Sequence, residues 1–133
     1  MNALEQEQEQ LAGQDWKIVY FDISHFAETS DALGSRSGMQ IRYTTASILR
    51  SAFSEDLLAN SEIDHFILLT TADCEKLKQQ IGQVQLSVAS IHHDTVLFLS
   101  AGIYHHKSGE PEIDFVTAVL NAKYACRRAG SDS

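Results

Sequence analysis

Two carboxylates stand where they could do chemistry together. Asp22 closes the aromatic and β-branched run "WKIVYFDI", and Asp64 lies in "NSEIDHFILL", between a polar lead-in and a strongly apolar run. A pair of carboxylates can hold Mg²⁺, which takes oxygen ligands and often bridges to substrate phosphates. The same ion can assist phosphoryl transfer. His65, next to Asp64, adds a group that titrates near neutral pH and can act as a base beside a metal. Each acid also has a plainer reading: Asp22 as the polar end of a strand, Asp64 as a turn aspartate. Two histidine pairs, His92-His93 and His105-His106, would form a metal cluster if their strands met, and are otherwise exposed loop histidines. Cys74 and Cys126 are far apart and carry no metal motif, so they read as core thiols in a reducing cytoplasm. Arg127, with Lys123 and Arg128, reads locally as a solvated basic face near a helix C-terminus.

The chain that must position these groups has 133 residues, enough for one domain with one core, although it could be one part of a larger protein. Apolar residues make up 44% and charged residues 21%, with one proline, which is globular rather than disordered composition. The net charge of −8 argues against non-specific binding to nucleic acid or an anionic membrane, since both need a basic surface. No apolar run reaches the roughly 20 residues of a membrane span. The start, "MNALEQEQEQLAGQD", lacks a secretory h-region. These features place the chain in the cytoplasm, with no nucleic acid partner and no membrane span.

Residues 1–14 read as a frayed helix, a linker, or the end of a helix entering from upstream, with Leu4 and Leu11 at heptad spacing. Residues 16–23 form a buried strand. "HFAETSDALG" reads as a short helix closed by Gly34. Ser37 caps a longer helix through about Phe53, with Ile41, Thr45, Ile48, Leu49 and Ala52 on one face. "LLANS" and "HFILLTT" form a hairpin with its tip at residues 62–64. Asp73 begins a helix with Cys74, Leu77, Ile81 and Val84 on one stripe. "QLSVAS" and residues 95–104 supply two more strands, and "HKSGEPE" a turn. A last helix over residues 112–128 presents Ile113, Val116, Leu120 and Tyr124 on one face, and Gly130 terminates it. The order β-α-α-β-β-α-β-β-α predicts an α+β or α/β sandwich with helices packed on a sheet.

"FDISHF", a glycine-ended helix, a long helix, "DHF" at a hairpin, "SAGIY" and "AKYACRRAG", in that order, resemble the GGDEF domain of diguanylate cyclases. The resemblance spans about residues 16–131, and none of its motifs is intact. It implies an α+β, palm-like fold similar to nucleotide cyclases and polymerases, with a central, mostly antiparallel sheet flanked by helices. It implies residues 1–14 as lead-in and 15–133 as a degenerate domain. The family joins two GTP molecules into cyclic di-GMP across a head-to-head dimer. The "DHF" variant and the "AGIY" strand are most similar to tandem proteins in which an EAL phosphodiesterase domain follows.

Carried over position by position, the resemblance gives Asp22 and the backbone carbonyl of Ile23 as metal ligands, and Asp64 as a ligand that helps activate the attacking hydroxyl. The rest of the signature has changed. Glu62 and Ile63 stand where glycines let backbone approach nucleotide closely, and Glu62 adds negative charge near a triphosphate. His65 stands for the signature glutamate, followed by Phe66. Ala27 replaces a phosphate-binding lysine. Ser30 and Met39 replace the asparagine and aspartate that read guanine; serine can keep one hydrogen bond and methionine none. Arg127 preserves a phosphate-binding charge, whereas Ser131 replaces a second basic residue. At the inhibitory product site, Phe53 and Asp56 take the places of R-x-x-D, so bidentate arginine capture is lost.

The resemblance therefore implies a catalytically inactive GGDEF-like domain in bacterial cyclic di-GMP signalling, acting as a regulatory, dimerisation or protein-interaction module. Its expected partners are other signalling domains, an EAL domain among them, or a second copy, with no cofactor required. The alternative is an active or residual cyclase, or a GTP-binding regulator, using Mg²⁺ held by Asp22 and Asp64.

Overall fold

A computed structural model of the protein describes residues 2–54, 56–62, 65–92 and 97–131. Nine elements follow in chain order among them: α1 (Asn2–Gln10), β1 (Trp16–Ile23), α2 (Phe26–Leu33), α3 (Ser35–Ala52), β2 (Leu57–Glu62), β3 (His65–Thr70), α4 (Cys74–Ala89), β4 (Leu99–His106) and α5 (Phe115–Ser131). The strands form one antiparallel sheet in the order β2-β3-β1-β4. The fold is α+β, one of the two classes the residue pattern allows and the one the resemblance implies.

β1 explains the layering. It is central, so both faces are covered, and its side chains alternate between two clusters. Val19, Phe21 and Ile23 meet Phe66 and Leu68 of β3, together with Ile41, Leu49 and Phe53 from the α3 region and Leu77, Ile81, Val84 and Val88 of α4. Trp16, Ile18 and Tyr20 meet Ile67 and Leu69 of β3, Phe115, Ala118, Ala122 and Cys126 of α5, and Leu4 of α1. Helices thus cover both sheet faces. Leu4 and Leu11 pack on this domain rather than along a coiled-coil seam, and Gln8 Nε2 donates to the carbonyl of Ile113 at 2.8 Å.

Several boundaries differ from the sequence expectation, each for a physical reason. "QLSVAS" is the last part of α4, not a strand. Gln85–Val88 alternates like a strand, but Val84 and Val88 continue the stripe begun by Leu77 and Ile81, and Leu86 points to solvent. Asp73 caps this helix as expected, accepting from the Lys76 N–H at 2.9 Å, but Cys74 is exposed and off the stripe. α3 begins at Ser35, and Gly34 serves as its N-cap as well as the C-cap of α2. Its φ of 96° there is open only to glycine at low cost. The strand expected over residues 95–104 is observed as Leu99–His106, and Thr95 and Val96 lie outside the described residues.

The largest correction concerns α5. It runs to Ser131 through Gly130, and its buried side chains are Phe115, Ala118, Ala122 and Cys126. Val116, Leu120 and Tyr124, expected to face inward, are exposed. The cause is proximity. Gly102 of β4 sits so close that an added Cβ would run into the backbone of Ala122 and Cys126. Only small residues fit at that seam, so size rather than hydrophobicity sets which face turns inward.

Candidate functional site

The β1 register builds the site. Asp22 is paired with His65 on β3 and with Ser100 on β4. Residues directly opposite across a sheet share a face, so all three project on the α5 side at one end. His65 Nε2 lies 3.2 Å from Asp22 Oδ1, with the side chains 19% and 33% exposed respectively. The ring of Tyr20 lies against His65, centroids 5.3 Å apart. Ser24 and Ser100 share a hydroxyl hydrogen bond of 2.9 Å just beyond the strand end.

Cys126 lies beneath this group on α5. Burial pushes its thiol up to about 12; the negative charge of Asp22 adds to the rise and Arg127 opposes it. This cysteine is a core thiol, as expected. Ile23 ends β1 opposite Leu99 with its side chain buried on the other sheet face, so only its backbone could face a ligand. Phe66 is likewise a core residue. Ile63 and Asp64 lie outside the described residues, as do the side chains of Glu62 and Ser131.

The two positions that the resemblance assigns to guanine reading, Ser30 and Met39, lie on α2 and α3. Ser30 of α2 packs against Gly38 of α3, close enough that a Cβ on Gly38 would strike the serine hydroxyl. Met39, the next residue, points to solvent. Ala27 occupies the first turn of α2. Arg127 lines an open hollow of about 600 Å³ with Tyr104, Asn121, Tyr124 and Arg128. Phe53 is buried, its ring 6.1 Å from that of Phe21. The position that carries arginine in R-x-x-D is therefore spent on the core here. Asp56 lines a hollow of about 330 Å³ with Ser54, Thr71, Lys76 and Gln80. Nothing in the spacing of Lys76 and Gln80 signals this hollow.

Among the described residues, His92 and the His105-His106 pair do not converge. His92 lies beside Ser37 and Ile41, whereas His105 sits near Asp15 and Cys74, and His106 stacks on Trp16 at 4.8 Å. His93 is outside the described residues. No three His, Cys, Asp or Glu side chains form a metal-holding group among the described residues. Asp22 supplies one carboxylate there, and one of its oxygens faces an imidazole.

No family profile matches the chain, and no curated protein matches it by sequence. Solved structures do match. The GGDEF domain of DgcB from Caulobacter crescentus, in complex with c-di-GMP, superposes with a TM-score of 0.84 at 18% identity, covering 99% of this chain and 82% of that one. The active GGEEF domain of a diguanylate cyclase from Vibrio cholerae gives 0.81 at 18%, covering 98% and 85%. Diguanylate cyclase SiaD from Pseudomonas aeruginosa, in complex with its activator SiaC, gives 0.83 at 22%, covering 99% of this chain and 53% of SiaD. The fold of this chain is that of GGDEF domains.

Proposed function

Starting from a fold shared with GGDEF domains, we propose that this protein is a non-catalytic GGDEF-like module of cyclic di-GMP signalling. Residues 15–133 form the module and residues 1–14 its helical lead-in. The observation that carries this reading is the contact of His65 with Asp22. The carboxylate that the resemblance assigns to metal is engaged by an imidazole, where the family signature has a glutamate. Ser30 and Met39 support the same reading, since neither offers the carboxylate needed to hold a guanine edge. The module works in the cytoplasm through protein contacts: with itself, with an EAL domain, or with another signalling partner. No helix among the described residues is long and apolar enough to cross a membrane.

Incubation of the purified protein with GTP and Mg²⁺ or Mn²⁺, with nucleotides separated by chromatography, tests this. GTP should remain unconsumed. Appearance of cyclic di-GMP would overturn the reading. Calorimetric titration with GTP·Mg²⁺ separates the alternative of a regulator that binds GTP without cyclising it. Heat that disappears in Asp22→Ala would favour that alternative, and absence of heat at high micromolar nucleotide would exclude it.

A further inference from the structure

A second group of reactive side chains lies at the opposite end of the sheet from Asp22, where the N-terminus of β1 meets the end of β4. Cys74 is exposed and opens α4. Its Sγ lies 3.9 Å from Nδ1 of His105. Nε2 of the same ring lies 3.8 Å from Asp15 Oδ2. Asp15 is held in turn: its other oxygen accepts the Ser108 N–H, and the Ser108 hydroxyl donates to the Gly13 carbonyl at 3.0 Å. Thiol and imidazole thus stand as a nucleophile beside its base, and Asp15 lies beyond hydrogen-bond distance of the ring and acts on it through its charge.

We propose that Cys74 is a reactive thiol that exchanges with small disulfides, with His105 as its base and the charge of Asp15 acting on that base. In the tautomer that carries its proton on Nε2, the lone pair of Nδ1 faces the thiol at 3.9 Å. Burial, then the charge of Lys17, hold His105 below its ordinary value, so the ring is neutral and able to accept a proton at pH 7. His105 takes the proton from Cys74. The thiolate attacks one sulfur of R–S–S–R, a new Sγ–S bond forms, and the old S–S bond breaks. The leaving thiolate collects the proton from His105. The products are the mixed disulfide and one R–SH, with no external oxidant needed beyond the disulfide itself. Cys126 is the internal control, buried and with its thiol raised to about 12.

The experiment exposes the folded protein to excess glutathione disulfide, and separately to the coloured aromatic disulfide DTNB, at several pH values, and follows adducts by intact mass and peptide mapping. One adduct should form, on Cys74, about tenfold or more faster than on an unstructured peptide containing residues 71–78. His105→Gln should bring the rate down to the peptide value. Asp15→Asn should slow it and move the midpoint of the pH–rate profile, with Asp15→Glu restoring part of it. A rate on Cys74 no faster than the peptide, or unchanged in His105→Gln, would overturn the proposal. If His105→Gln does not fold by circular dichroism, the comparison of native protein with peptide decides alone.

Discussion

His65 Nε2 sits 3.2 Å from Asp22 Oδ1, across the pairing of β1 with β3 and against the ring of Tyr20. The contact is partly exposed, so its worth is modest. His65→Gln should cost about 0.5–1 kcal/mol. His65→Glu, which restores the residue type of the GGDEF signature, should cost more, because two carboxylates then face each other. Urea unfolding of the three proteins checks the order. A His65→Glu variant as stable as the native protein would show that Asp22 is not held by this contact.

Gly102 makes a sharper prediction. It lies opposite Tyr20 in the sheet, and α5 crosses so closely that a methyl group has nowhere to go. Gly102→Ala should push α5 off the sheet and destabilise the protein by about 1–3 kcal/mol or more. The measurement is the urea midpoint, with near-ultraviolet circular dichroism reporting the disturbed packing around Trp16 and Tyr20.

The same seam explains what sequence could and could not convey. β1, β3 and the stripe of α4 through Leu77, Ile81 and Val84 were legible, because each buries large apolar residues at the period of its element. The phase of α5 was not, because hydrophobicity points to Val116, Leu120 and Tyr124 while close approach demands Ala118 and Ala122. "QLSVAS" misled for a related reason: four alternating residues fit a strand until the preceding three turns of α4 are counted. At the site, Asp22 and His65 were both singled out, but their contact depends on strand register, which only the paired β1 and β3 reveal. Cys74, His105 and Asp15 are spread over ninety positions, so no local motif could join them.

Substitutions on α5 turn that difference into a measurement. Leu120→Ala and Tyr124→Ser, on the exposed face, should change stability by no more than about 0.5 kcal/mol each. Ala122→Leu, which adds apolar volume against Gly102, should destabilise by about 1–3 kcal/mol. The face expected from hydrophobicity alone would give the opposite order.

His105 gives the protein a pH dependence of known sign. Burial first, then Lys17, with Lys107 adding to it, hold the ring below its ordinary value of 6.5, against the opposing pull of Asp15 and Glu110. The unfolded chain therefore binds the proton more readily than the folded one just below pH 6.5. The stability that neutral His105 contributes is fully present above that value and is lost as pH falls through it toward the lower folded value. Urea midpoints measured from pH 8 to pH 5 should fall, and His105→Gln should flatten that part of the curve while leaving the steeper carboxylate region below it unchanged. A variant whose curve runs parallel to the native one across this window would remove His105 as the group responsible.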